Sequence, residues 1–186
     1  MTLDEMKALP PDKQKELIRN IKVARHKGKT TVYSAVYGVG APKLARELKV
    51  PISEAKKLLE AYWKINWAVR AYAENATVKK VNGQDWVFNP VSKFWYSLRA
   101  QKDIWSTTNQ GTGVYCFDTW VKYTLEARRQ LTATFHDEVI LEVKKGFREQ
   151  AKVLLLDAMQ KTNDKLKLNV TLGCDVQYGH RYSEIH

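Results

Sequence analysis

The chain has 186 residues, 44% of them hydrophobic, and carries 31 Lys and Arg against 20 Asp and Glu, for a formal net charge of +11 and a pI near 9.6. That length can bury a sizeable core. The cationic excess favours a polyanionic partner through counterion release, while the lack of a long apolar run or of a basic amphipathic helix with a bulky apolar face argues against a membrane. Cys116 and Cys174 lie far apart and in no Cys-x-x-Cys pattern, so neither a zinc site nor a disulfide framework is indicated. Met1 to Pro11 has no signal-peptide core, and the expected setting is the reducing cytoplasm.

Pro10-Pro11-Asp12 reads as a stop followed by a helix start, with Leu17, Ile18, Ile21 and Ala24 as the apolar face of a helix running toward Gly28. Lys13, Lys15, Arg19, Lys22, Arg25, Lys27 and Lys29 concentrate positive charge here, opposed only by Glu16, which suits nucleic acid. Arg25, Lys29, Tyr33 and Tyr37 recur every fourth residue. Each step turns about 40° round a helix, so the four form one slanted stripe roughly 18 Å long, two cations followed by two rings. Cations can hold a triphosphate, and rings further along can meet a sugar and a base. Gly28 and the Thr30-Thr31-Val32 run are poor helix formers, which leaves a strand over Thr30 to Val36 as an open alternative. A solvated basic helix with scattered tyrosines is the plain alternative to a nucleotide grip.

Gly38 and Gly40 allow a turn, and Pro42 to Leu48 reads as a short helix. Ser53 is a candidate N-cap for a long helix on which Ala55, Leu58, Leu59, Tyr62, Ile65, Val69 and Tyr72 share a face, widened by Trp63 and Trp67 in core-packing roles. From Thr77 to Leu98 the pattern becomes β-branched and aromatic, with Asn82-Gly83 and Asn89-Pro90 as turn signals, predicting one or two hairpins. Arg99 to Gln130 returns to helix, with Ser106 and Thr107 as caps and Val114, Phe117, Val121 and Leu125 on one side. Gly111 and Gly113 weaken that helix, as they would where a DNA backbone or another element comes close.

Leu131 to Val143 alternates cleanly: Leu131, Ala133 and Phe135 on one arm, Val139, Leu141 and Val143 on the other. His136-Asp137-Glu138 lies between, which predicts a hairpin with a greasy face and an acidic tip. Two adjacent carboxylates at a tight turn repel one another, and a magnesium ion would compensate them. An exposed polar turn is the plain alternative. Phe147 to Lys165 is an amphipathic helix carrying Ala151, Leu154, Leu155, Ala158 and Met159, and Leu168 to Val176 reads as a strand able to join the hairpin in an antiparallel sheet.

The spacing Arg25, Lys29, Tyr33, Tyr37-Gly38 resembles the fingers-helix motif of family A DNA polymerases, with Ser34 where that family usually has glycine. Val39 to Leu48 continues the likeness, especially to phage members. Asn109-Gln110-Gly111-Thr112 is similar to the family's palm helix, and His136-Asp137-Glu138 to its second catalytic carboxylate motif. The resemblance implies an α+β fold, mostly helical fingers over 1–105 followed over 106–186 by the C-terminal part of a palm with a small antiparallel sheet. It further implies that Arg25 and Lys29 hold the incoming dNTP's phosphates, that Tyr33 stacks beside its sugar and base, and that Tyr37 sits near the template base. By the same likeness Gln110 reaches the minor groove of primer-template DNA, His136 lies near the primer end, and Asp137 ligates catalytic Mg2+ with Glu138 assisting. His186 ends the chain as the family's histidine-terminated C-terminus does.

Two-metal phosphoryl transfer needs carboxylates from two separate places. The family draws its other aspartate from a motif of the type Asp-Tyr-Ser-x-Ile-Glu, and no aspartate here has that context. The expectation is therefore a C-terminal subunit of a split DNA polymerase, completed by a second polypeptide carrying the first catalytic aspartate, the thumb and any exonuclease. The rivals are a non-catalytic nucleic-acid-binding module that has kept the polymerase fold and a piece of a single-subunit RNA polymerase.

Overall fold

The computed structural model describes residues 6–128 and 131–185. The expectation for His186 and the far end of the helix expected to reach Gln130 lie outside them. Among the described residues the architecture is α+β, with six α-helices and two small sheets: α1 (Pro11–Val36), α2 (Ala41–Leu48), α3 (Ile52–Ile65), α4 (Trp67–Asn75), β1 (Val78–Val81), β2 (Gln84–Phe88), β3 (Trp95–Leu98), α5 (Ile104–Ala127), β4 (Ala133–Phe135), β5 (Glu138–Ile140) and α6 (Arg148–Leu166). Strands β1, β2 and β3 form one sheet in that order, and β4 pairs with β5 in the other. No helix among the described residues is long and apolar enough to cross a membrane. The chain divides into two compact units, residues 1–87 with 97–107 and residues 88–96 with 108–186.

In the first unit, Pro11 occupies the first turn of α1, where a missing N–H costs nothing, and Asp12 suits the positive end of the helix. The helix runs unbroken through Gly28 and the Thr30-Thr31-Val32 run to Val36, which excludes the strand alternative. Packing overrides the weak propensity there: Thr31, Ser34 and Ala35 are buried, and the Thr31 hydroxyl donates to the Lys27 carbonyl at 2.8 Å. An ion pair between Lys27 and Glu54 ties α1 to α3. The apolar centre of this unit is Leu44, Ala45 and Ala55, with Leu48, Val50 and Leu59 packed against it.

Two expectations for the next segment fail. Helix α3 begins at Ile52 with Pro51 at its N-cap position and no side-chain cap, so Ser53 already lies inside the first turn. The long helix also breaks at Asn66, whose backbone N–H and side-chain amide both reach the Tyr62 carbonyl at 2.9 Å. Ile65, at the end of α3, is 79% exposed and Trp67, after the break, 69%, so neither is a core residue. Trp63 is half-buried, edge-on to Tyr62 and covered by the Arg70 guanidinium.

The Asn82-Gly83 turn closes the β1–β2 hairpin as expected, with both residues at positive φ, 50° and 79°. That is the primed geometry which matches strand twist.

In the second unit, Asn89 is fully buried and fully bonded. Its carboxamide oxygen accepts from the Val91 and Ser92 N–H groups at 2.9 and 3.1 Å, and its amide donates to the Thr108 carbonyl and the Thr112 hydroxyl, both at 3.0 Å. The turn expected at Asn89-Pro90 is thus stapled to α5. Helix α5 itself starts at Ile104, and Ser106 donates to the Asp103 carbonyl at 3.1 Å rather than capping the helix. Its expected apolar side is also shifted, since Val114 is 58% exposed while Trp120 and Thr124 are buried.

Trp120, Leu155 and Ala158 form the core where α5 meets α6, and Phe117, Val139, Leu141, Cys174 and Val176 pack on it. Burial of a side chain such as Leu155 contributes about 2 kcal/mol. The expected strand over 168–176 alternates only in its second half, where Leu172, Cys174 and Val176 are half-buried between outward neighbours; residues 169–170 form a bend with Val170 exposed, and the segment joins no sheet among the described residues. Leu172 exchanges hydrogen bonds at 2.8 and 2.9 Å with the Asn163 side chain instead.

Candidate active site

The basic and aromatic stripe belongs to the first unit. Burial of Thr31, Ser34 and Ala35 on one side of α1 turns Arg25, Lys29 and Tyr33 outward, and all three are exposed. The Lys29 ammonium lies 5.5 Å from the centre of the Tyr33 ring, a cation–π pairing that follows directly from their four-residue spacing. Tyr37, also exposed, sits at the C-cap, and Gly38 takes a φ of +65° to end the helix. Ser34, where the resembling motif has glycine, is buried with its hydroxyl 3.4 Å from a Glu47 carboxylate oxygen, so its extra atoms are accommodated by α2.

The acidic hairpin belongs to the second unit. Phe135 pairs with Glu138, leaving His136 and Asp137 as a two-residue turn. His136 takes a φ of +53°, a left-handed conformation that non-glycine residues seldom adopt and that two-residue hairpins demand. Its ring rests edge-on at 4.3 Å from that of Phe135. Asp137 is exposed, and among the described residues it makes no hydrogen bond or ion pair, whereas Glu138 is half-buried.

Both carboxylates line a cleft of about 810 Å³ bounded by α5, β5, α6 and the extended segment 168–178. Helix α5 contributes Asn109, Thr112, Gly113, Cys116, Phe117 and Trp120, one face at helical spacing. Asn109, rather than Gln110, therefore shares the cleft with Asp137. Gln110 is exposed on the same helix. The sequence reading missed Asn109, Cys116, Cys174 and Asp175 as cleft residues, although the 109-112-113-116-117-120 spacing was available to it.

Gly111 faces away from this cleft, and a Cβ there would stand 2.8 Å from the Tyr96 ring. The close element expected at Gly111 is thus a tyrosine. Burial pushes the Cys116 and Cys174 thiols above their ordinary range, with the neighbouring Asp175 adding to the effect at Cys174.

A hard divalent cation takes several oxygen ligands. Asp137 and Glu138 supply adjacent carboxylates open to the cleft, and no group of three His, Cys, Asp or Glu able to hold a metal occurs among the described residues. The donor set suits such a cation only in part and calls for a further oxygen ligand from elsewhere.

The structure thus carries an exposed basic and aromatic helix face in one unit and an acidic hairpin backed by two helices in the other. No protein-family model matches the chain. It is 26% identical over 175 residues to the thermostable DNA polymerase I of Thermus filiformis, covering 86% of this chain and 20% of that protein. It is 25% identical over 192 aligned positions to the corresponding enzyme of Thermus thermophilus, covering 94% and 22%. Its fold matches the POL domain of Pol1 from M. smegmatis, solved in complex with DNA primer-template and dNTP, with a TM-score of 0.54 and 21% identity over 74% of this chain and 27% of that one. The chain is a distant homologue of the family A (Pol I) DNA polymerases over most of its length. It spans about one fifth of the length of these relatives.

Proposed function

We propose that this chain is the nucleotide-gripping and partly catalytic portion of a DNA-directed DNA polymerase, acting in replication as the C-terminal subunit of a split enzyme. The fingers comprise residues 1–105 and the C-terminal part of the palm residues 106–186. The reading rests above all on the Asp137-Glu138 pair, placed on a hairpin turn at the edge of a cleft and accompanied there by no complete metal-ligand set among the described residues. Such a half-site is what a shared active centre leaves on one partner.

In this account Arg25 and Lys29 bind the triphosphate of the incoming dNTP, with Tyr33 packing along its sugar and base and Tyr37 beside the template base. Gln110 contacts the primer-template in its minor groove and His136 lies near the primer end. Asp137, assisted by Glu138, holds Mg2+ jointly with an aspartate from a second polypeptide that also carries the thumb and any exonuclease. When bound, the two ions activate the primer hydroxyl and neutralise the departing pyrophosphate. The net charge of +11 draws DNA to the assembled enzyme in the cytoplasm, the host's if a phage encodes it.

The test is primer extension by this chain mixed with candidate polypeptides bearing an Asp-Tyr-Ser-x-Ile-Glu motif. Activity of the mixture with neither component active alone is expected, and full activity of this chain by itself would overturn the split arrangement. A non-catalytic nucleic-acid-binding module with a polymerase fold is the competing reading, and replacement of Asp137 in the assembled complex separates the two.

A further inference from the structure

Helix α1 has 26 residues, yet the three that are buried, Thr31, Ser34 and Ala35, all lie toward its C-terminal end. The stretch 11–24 holds no buried side chain, although it spans about 21 Å. A helix of that length is marginal in water on propensity alone, and most helical stability in proteins comes from packing an apolar face. Such a face is present. At about 100° per residue Leu17, Ile21, Ala24 and Gly28 fall within about 60° of one another, in line with the buried Ala35, and Ile18 adjoins Ile21. Ile18 is 43% and Ile21 47% exposed, and a Cβ added at Gly28 would meet nothing within 4 Å. Lys13 borders this stripe on one side and Lys15 and Lys22 on the other, whereas Asp12 and Glu16, the only acids of α1, lie on the opposite side. Among the described residues Lys13, Lys15 and Lys22 enter no ion pair.

We propose that this half of α1 is a docking surface for an amphipathic helix of another protein, one whose apolar ridge is bordered by Asp and Glu. The charge pattern selects that occupant. Nucleic acid would neutralise the lysines but leave Ile18 and Ile21 in water. A second copy of the chain would set the same lysine borders against these, and like charges across an interface oppose association. A bilayer suits a broad, bulky face, and this stripe narrows to Ala24 and Gly28. Those small residues instead let a second helix approach closely. A partner ridge at i, i+3, i+4 and i+7 fills the seam while its carboxylates meet Lys13, Lys15 and Lys22. The surface belongs entirely to the first unit and needs neither the acidic hairpin nor the split arrangement.

The probe is a synthetic peptide of about 18 residues with Leu at i, i+3, i+4 and i+7 and Glu along both borders, titrated against the full chain. Its controls are a scrambled peptide of the same composition, the same peptide with Lys in place of Glu, and phosphatidylserine vesicles. The acidic peptide is expected to bind at least about tenfold more tightly than either control peptide and to slow amide exchange over 14–24 by a similar factor. Ile18→Ser/Ile21→Ser should weaken that binding at least about tenfold with Tm unchanged, because both side chains are exposed in the free chain and serine matches isoleucine in helix propensity. Lys15→Gln/Lys22→Gln should weaken it and flatten its dependence on salt. The proposal is overturned if the scrambled peptide binds equally well, if the isoleucine variant binds like the wild type, or if protection falls outside α1. Vesicles that protect 14–24 where the peptide does not would overturn it too, and make this half of α1 a membrane-surface helix.

Discussion

Two glycines in one helix, two residues apart, should respond to alanine with opposite signs. In an isolated helix either Gly→Ala change gains up to about 1 kcal/mol from reduced backbone entropy. At Gly113 the new Cβ meets nothing within 4 Å, so that gain should be realised in full. At Gly111 the Cβ would lie 2.8, 3.0 and 3.1 Å from three atoms of the Tyr96 ring. That ring is itself held, its hydroxyl 3.3 Å from the Ser92 hydroxyl. Overpacking of this kind costs about 1–3 kcal/mol, enough to cancel or reverse the helix gain. The two variants should therefore differ by about 2 kcal/mol, and at 2–4 °C per kcal/mol for a chain of this size their melting temperatures by roughly 4–8 °C. Circular dichroism melts of both, with Gly111→Ala/Tyr96→Ala to relieve the clash, make the comparison. A Gly111→Ala protein as stable as Gly113→Ala would refute the packing argument, as would failure of the second substitution to narrow the gap.

Asn89→Ala should cost about 2–4 kcal/mol in urea unfolding, because it removes four hydrogen bonds inside a fully buried site and leaves the Thr108 carbonyl and the Val91 and Ser92 N–H groups without this partner. Replacement within experimental error of neutral would show that water substitutes for the amide. The two thiols make stability pH-dependent in a definite direction. Burial raises their folded values, so the unfolded chain loses its protons first; their contribution is whole below the ordinary thiol range and is lost as pH rises through the folded values. Tm should thus fall more steeply between about pH 8 and about pH 10 in the wild type than in a Cys116→Ala/Cys174→Ala protein. Equal slopes would contradict it. In the active assembly, Tyr33→Phe should raise discrimination against dideoxynucleotides in single-nucleotide incorporation, and unchanged discrimination would remove Tyr33 from the sugar site.

The elements with a strong local period were legible in the sequence, and those decided by packing were not. Asn82-Gly83 dictated its hairpin turn because few other residue pairs accept two positive φ values in succession. Helix α6 was equally plain, with Ala151, Leu155 and Ala158 on a single stripe. Trp67 was misplaced because Asn66 interrupts the helix, and a one-residue change of phase turns a core face outward. Ser53 and Ser106 carry good capping side chains, but Pro51 and the 3-10 turn Gln101–Asp103 set where those helices begin. The segment 168–178 shows the limit most clearly. Its alternation announces a strand, while pairing depends on a neighbour that sequence periodicity does not contain. Among the candidate functional residues, the Lys29–Tyr33 pairing and the Asp137 turn follow from spacing, whereas the cleft position of Asn109 emerges only once the chain has folded.

The central claim is that Asp137 is half of a shared catalytic centre, and Asp137→Ala in the reconstituted polymerase tests it most directly. Single-nucleotide incorporation should fall by at least about a thousandfold while the dissociation constant for primer-template stays within a few-fold of wild type, since a metal ligand acts in the transition state and a scaffold residue acts in binding. Incorporation at the wild-type rate by the Asp137→Ala assembly would contradict the account and leave this chain a nucleic-acid-binding module.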